Sequence, residues 1–135
     1  MVAERRVTLY AFVIMSNHIH LIWQPAFGLT LPEIQLSFMK YTAQQLKRSM
    51  EINGHRMMDS FLVNKEDRTY QIWKRRPLSI ELRTAAVFDQ KLVYIHYNPV
   101  KAGLCINPED YYYSSAGFYF NGKDSFGILT HYSGN

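Results

Sequence analysis

The segment Val7-Thr8-Leu9-Tyr10-Ala11-Phe12-Val13-Ile14-Met15-Ser16-Asn17-His18-Ile19-His20-Leu21-Ile22-Trp23 decides how the rest of the chain is read. Val7 to Ile14 is β-branched and aromatic and reads as a strand; Met15-Ser16-Asn17 reads as a short turn, and a second strand begins at His18. Side chains alternate across a strand, so His18 and His20 share one face while Ile19 and Leu21 share the other. Two imidazoles side by side on a pleated surface are placed to hold one divalent cation. Taken alone, His-x-His fits ordinary half-buried histidines equally well, because so short a pattern recurs by chance.

Around this segment the chain has the makings of one domain, 1–135, with a tail from about 117 that is loop-rich. Its 135 residues are 47% hydrophobic and 15% aromatic, a composition that builds a core and excludes a disordered chain. A single cysteine, Cys105, excludes an internal disulfide and any multi-cysteine zinc site, as befits a reducing cytoplasm. No apolar run reaches membrane-span length and the first residues lack the apolar core of a signal peptide, so the expectation is a cytoplasmic protein without a membrane partner. Lys+Arg exceed Asp+Glu by 15 to 11, and the excess falls in knots: Arg5-Arg6, Lys47-Arg48 and Lys74-Arg75-Arg76, with Lys40 and Lys101 besides. Any one knot is ordinary solvated surface. Together with ten tyrosines, eight phenylalanines and two tryptophans they suit a phosphate backbone whose bases stack on rings.

Further along, Gln24 to Gly28 reads as a connection. Thr30 reads as an N-cap with Glu33 three residues on, a capping box that opens a helix from about Leu31 to Glu51, ending near Asn53-Gly54. Ile34, Phe38, Tyr41, Leu46 and Met50 mark its apolar stripe, so Tyr41 is expected in the core. His55 to Lys65 reads as a short amphipathic turn or a flap, and Asn64 to Arg68 as loop. Tyr70 to Trp73 and Leu78 to Leu82 read as short strands. Thr84 caps a second helix from Ala85 to about Tyr97, which Asn98-Pro99 closes, with Val87, Leu92 and Ile95 on its buried side.

On that second helix Tyr94 and Asn98 stand four residues apart and so lie one above the other on a single face. A neutral phenol is a poor nucleophile, with an ordinary pKa of about 10. A divalent cation that polarises a phosphodiester makes attack by such an oxygen practicable, and an amide oxygen at Asn98 would serve the same ion. Two strand imidazoles, a helix amide and a phenol one turn away suit transesterification of a nucleic-acid backbone through a phosphotyrosine.

The two motifs together resemble the single-tyrosine HUH transposases. Ile14 to Ile22 is similar to their His-hydrophobic-His strand, and Lys91-Leu92-Val93-Tyr94-Ile95-His96-Tyr97-Asn98-Pro99-Val100-Lys101-Ala102-Gly103-Leu104 to their nucleophile helix, most nearly in the branch called REP-associated tyrosine transposases. Pro108-Glu109-Asp110-Tyr111 and Ser114-Ser115-Ala116 resemble that branch's ending, so matching blocks run from about Tyr10 to Ala116. The resemblance implies an α/β (α+β) ferredoxin-like fold, an antiparallel sheet with helices packed on one face. It implies His18, His20 and Asn98 as ligands of Mg2+ or Mn2+, and Tyr94 as the catalytic nucleophile that becomes joined to a 5′-phosphate. Its substrates are single-stranded DNA bearing hairpins, nicked and rejoined during transposition. Arg5, Arg6, Lys40, Lys47, Lys74, Arg75, Arg76 and Lys101 are the DNA-binding candidates.

Family members usually carry a further strand and helix before the segment that begins here at Val7, so the chain opens almost directly on the second strand of the usual order. A sheet without that first strand would expose an edge, which leads to the expectation of a homodimer. It also keeps open a protein that binds DNA hairpins without cutting them, whether truncated or domesticated, and a phosphoesterase that uses water. Among rival residues, Tyr97 is the nearest alternative nucleophile, whereas Tyr10 and Tyr41 lack a partner amide at helical spacing. His96 points away from Tyr94 towards packing or DNA. His55 and His131 read as surface residues, and Trp73 as packing before base stacking.

Overall fold

The computed structural model describes residues 1–52, 62–64, 69–70, 73 and 77–133. They fall into two compact units, Met1–Leu29 with Ile80–Asn135, and Thr30–Ser79. The architecture is α+β, built from antiparallel two-stranded sheets and helices.

In the first unit β1 (Val7–Ile14) pairs antiparallel with β2 (Ile19–Pro25). The hairpin closes where the Met15 backbone N–H donates to the His18 carbonyl at 2.8 Å. Paired residues share a face, so the pairs Ala11↔Ile22 and Val13↔His20 place His20 directly beyond Ile22 on the same side of the sheet. The register shifts between Leu9 and Ala11, leaving Tyr10 as a bulge residue.

That side of the sheet is covered by α2 (Ala85–Lys101), whose buried residues Leu92, Ile95, His96 and Pro99 recur at helical spacing. Ala11, Val13, Met15, Ile22, Leu92 and Ile95 form the core, with Tyr10, Leu82, Phe88, Tyr111 and Tyr119 packed around it. Tyr10, turned out of the ladder, meets Phe88 edge to face at 5.9 Å. Each aliphatic side chain removed from water here contributes about 1.5–3 kcal/mol. Thr84 caps α2 as read, its Oγ1 accepting from the Val87 N–H at 3.2 Å.

The far end of α2 departs from the reading. Asn98-Pro99 does not close the helix, which continues through Pro99 to Lys101. The stop is Gly103, at φ +75°: its N–H bonds to the Val100 carbonyl at 3.0 Å, and the Leu104 N–H to the Pro99 carbonyl at 2.9 Å. These bonds satisfy the last carbonyls as a Schellman turn does, and a left-handed glycine is what that turn requires. Asn98 therefore lies within the helix, a full turn beyond Tyr94.

Leu78 to Leu82 is irregular, not a strand. A strand persists only when its backbone groups find a ladder, and here Leu78 and Ile80 are exposed while Leu82 alone of the apolar residues reaches the core. The tail is more ordered than expected: after a 3₁₀ turn at Pro108–Asp110 comes α3 (Ala116–Asn121). Tail residues also occupy the outer edge of β1. Ile14 N–H donates to the Tyr113 carbonyl, Ser115 N–H to the Phe12 carbonyl and Thr130 N–H to the Leu9 carbonyl, at 2.8, 2.9 and 2.9 Å. The outer edge of β1 is thus taken. Among the described residues β2 has no partner but β1.

A buried polar knot fixes this tail. Ser115 Oγ lies 2.7 Å from His96 Nε2, 3.0 Å from the Phe12 N–H and 3.2 Å from the Phe12 carbonyl. One assignment uses all three contacts: His96 donates from Nε2, Phe12 N–H donates, and the hydroxyl donates to the Phe12 carbonyl. His96 is packing, as one of its two expected roles had it.

In the second unit α1 (Leu31–Ile52) opens with the capping box read from Thr30 and Glu33. Thr30 N–H donates to Glu33 Oε2 at 2.8 Å and Glu33 N–H returns to Thr30 Oγ1 at 3.4 Å. Tyr41 is not in the core: it is 63% exposed, and Leu46 is exposed as well. Ile34 is the buried residue of α1, and Trp73 covers a further part of the helix: its Nε1 donates to the Met39 carbonyl and to Thr42 Oγ1, with its ring against Phe38. Trp73 therefore packs, as expected. β3 (Leu62–Asn64) and β4 (Thr69–Tyr70) form a short antiparallel pair, so strand replaces the expected turn at Leu62 and Val63. The readings at Asn53-Gly54, His55 to Phe61, Lys65 to Arg68 and Gln71-Ile72 lie outside the described residues. Among the described residues no helix is long and apolar enough to cross a membrane.

Candidate active site

At the turn end of the hairpin the His18 and His20 rings meet edge to face with centroids 4.9 Å apart. On the other side of His20 stands the Tyr94 ring, 5.6 Å away and steeply inclined at 78°. The two motifs, far apart in sequence, therefore converge. They do so because the face of β2 that carries His20 is the face that α2 covers, and Tyr94 lies beside the buried stripe of α2. Tyr94 is 48% exposed, so its phenol is open to a large substrate.

The electrostatics favour a neutral imidazole at His20. His18 Nδ1 lies 2.6 Å from Asn17 Oδ1. An amide oxygen only accepts, so Nδ1 is assigned the proton, which in the neutral tautomer leaves the lone pair on Nε2. A hydrogen bond from the ring nitrogen that faces away from the ion is how ligating histidines are commonly oriented. Burial lowers the His20 pKa from its ordinary value, and the neighbouring His18 lowers it further. A neutral ring is the form that binds a cation. Asn98, half-buried one turn beyond Tyr94 on α2, is an oxygen donor that a cation on such a pair could add. Groups of three or more His, Cys, Asp or Glu able to hold a metal do not occur among the described residues, so a centre here needs the amide or water to complete it.

The basic candidates divide. Lys101 reaches Tyr94, its Nζ 5.6 Å from the ring centroid. Arg5 and Arg6 precede β1 at the opposite end of the hairpin, roughly 20 Å or more from the His pair at about 3.3 Å per strand residue. They cannot act at this site within one chain. Arg5 also sits at φ +57° in the turn that feeds β1, bonded through its N–H to the Val2 carbonyl. Lys40 and Lys47 lie on α1 in the second unit. Lys74, Arg75 and Arg76 lie outside the described residues.

Lys91 was not among the residues singled out, yet its Nζ lies 6.0 Å from the Tyr94 centroid. The signal was its place three residues before Tyr94, one turn away. His131 is not a plain surface residue either. It is half-buried in a stack with Tyr119 and Tyr132, at centroid distances of 4.8 and 4.9 Å. His55 lies outside the described residues. The Cys105 thiol is pushed up, by burial first and then by Asp110 and Glu109, away from any nucleophilic role. The tyrosine in ring contact with His20 is Tyr94; Tyr97 is exposed on α2.

Comparison with family models, with curated proteins and with solved structures gives no match to this chain.

Proposed function

We propose that the protein is a metal-dependent tyrosine transposase-like enzyme that nicks and rejoins single-stranded hairpin DNA through a 5′-phosphotyrosine, in the manner of the HUH transposases it resembles. The observation that carries this reading is the row His18, His20, Tyr94, in which a pair of imidazoles on the hairpin meets the exposed ring of a tyrosine on a distant helix through His20. In the reaction Tyr94 Oη bonds to phosphorus and the P–O3′ bond breaks. The phenol proton passes to solvent, and the departing 3′ oxygen takes one up. The 5′-phosphate stays on Tyr94, which conserves the bond energy, so a free DNA hydroxyl reverses the step without ATP. His18, His20 and Asn98 would hold Mg2+ or Mn2+, which when bound polarises the phosphodiester.

The test is incubation of the protein and Mn2+ with single-stranded hairpin oligonucleotides labelled at the 3′ end, followed by denaturing electrophoresis. The label is expected to migrate with the protein. DNA binding with no covalent label rejects this reading in favour of a hairpin-binding protein. His20→Ala is expected to weaken Mn2+ binding by roughly a hundredfold or more, since losing a ligand costs at least what losing its outer support does. Calorimetric titration measures this, and an unchanged affinity would remove His20 from the centre.

A homodimer is part of the same reading. Since the tail occupies the outer edge of β1, pairing between copies is assigned to β2. Light scattering at high concentration is expected to give twice the chain mass of 15.9 kDa, and a folded monomer would contradict it.

A further inference from the structure

Lys91, Tyr94, Asn98 and Lys101 follow one another at spacings of three, four and three residues, so they form a single row along α2 beside its buried stripe. The lysines approach Tyr94 from opposite ends of the helix, and their ammonium groups stand 6.0 and 5.6 Å from the centroid of its ring. Neither takes part in the ion pairs found among the described residues, which join Glu4 to the N-terminus and Glu81 to Arg83. Two cations thus converge on one phenol, with no carboxylate paired to either among the described residues. Attraction to an exposed ring is worth only about 0.5–1 kcal/mol for each, and the two charges repel. Lys101 also complements the carbonyl end of α2, but that effect fades within the last turn and does not bring Lys91 to the same ring.

We propose that Lys91 and Lys101 are a two-pronged phosphate anchor, positioning residues that hold the backbone of a bound single strand across the Tyr94 hydroxyl. The inference rests on the transesterase reading and supplies what His18 and His20 cannot, the charge that registers a polyanion on the nucleophile. The ligand chemistry is a phosphodiester with phosphates on both sides of the scissile one. A base-specific contact is no part of it, because an ammonium on a flexible stem binds phosphate as a point charge.

The experiment measures binding of a fluorescein-labelled single-stranded hairpin by anisotropy, without divalent ions, over a range of KCl concentrations. Each phosphate contact on a single strand contributes about 0.7 to the slope of log affinity against log salt. Lys91→Gln and Lys101→Gln are each expected to lower the slope by about 0.7 and the double variant by about 1.4. Lys91→Arg and Lys101→Arg should keep it, as should Lys123→Gln, an exposed lysine beyond α3. Unchanged slopes in the glutamine variants overturn the anchor. So does an equal loss in Lys123→Gln, which would mean diffuse surface charge. Circular dichroism of the same variants separates loss of contact from loss of fold, and the arginine variants give a second check. The two proposals also fail separately. Full-rate adduct formation by the double variant removes the anchor and leaves the transesterase. A lysine-specific slope without any adduct removes the transesterase and leaves the anchor.

Discussion

Tyr94→Phe is expected to abolish the covalent DNA adduct, by about 10⁴-fold or more, while leaving DNA affinity within a few-fold of the parent. The substitution removes one oxygen atom and keeps the ring, and the ring is what packs edge-on against His20. Phenylalanine fills the same place, so the fold and the imidazoles beneath it are undisturbed. Because Tyr94 is 48% exposed, its hydroxyl carries little of the stability. The matched control is Tyr97→Phe, which alters the other exposed tyrosine of this part of α2 and should leave the adduct intact. Adduct formation that survives Tyr94→Phe and disappears in Tyr97→Phe would transfer the nucleophile to residue 97. Strand cleavage that is indifferent to both, with no adduct, would mean attack by water. Quantified gels with 3′-labelled DNA distinguish the three results.

Acid is expected to destabilise the protein through His96. Its imidazole is buried against Ser115 and Tyr119, and burial holds its pKa down at about 4, from 6.5 in an open chain. Above about pH 6.5 the ring is neutral whether the chain is folded or not, and nothing is lost. Between 6.5 and 4 the unfolded chain takes up a proton that the native protein refuses. Stability therefore falls with pH across that window, by an amount on the order of 3 kcal/mol for this one group. His20, whose pKa is also lowered, adds in the same direction. Urea unfolding at constant salt between pH 7.5 and 4.5 measures the slope, and His96→Gln is expected to be less stable at neutral pH but flatter with pH. A parent and a His96→Gln variant with equal slopes would show that the burial of this imidazole is not what the acid attacks. Since Ser115 ties Phe12 of β1 to the tail, acid unfolding should release the tail and the outer edge of β1 together.

The legible parts of this chain were those in which one short-range rule acts alone. The expected strand start at His18 is one residue early, since β2 begins at Ile19, yet the His18 and His20 rings still meet, and the side-chain oxygens of Thr30 and Thr84 marked where two helices start. What misled was local chemistry with a tertiary remedy. Pro99 reads as a terminator, but a helix tolerates one missing donor when it is packed, and the true stop was the left-handed Gly103 a turn later. Tyr41 shows that an apolar stripe is buried only where something lies over it: Ile34, two turns earlier on the same stripe, is fully buried while Tyr41 is exposed. Leu78 to Leu82 has strand-like residues and no ladder to join. Of the candidate site, the ring row was readable once both motifs were set side by side. Its charges were not. Clusters of basic letters drew attention to Arg5-Arg6, at the far end of the hairpin from the histidines, while Lys91 belongs to no basic cluster and had only its helical offset to Tyr94 as a clue. The role of His131 in the tail's ring stack has no periodic signature at all, because it depends on where a loop returns.

The most direct measurement is a crystal structure of the protein soaked in Mn2+, with the ion located by its anomalous scattering. A single peak bonded to the Nε2 atoms of His18 and His20, with Asn98 Oδ1 among its neighbours and the Tyr94 hydroxyl turned towards it, is the expected result. An ion bound elsewhere, or a Tyr94 hydroxyl directed away from the imidazole pair in its own chain and in every contacting copy, would contradict the claim that these residues form one catalytic centre.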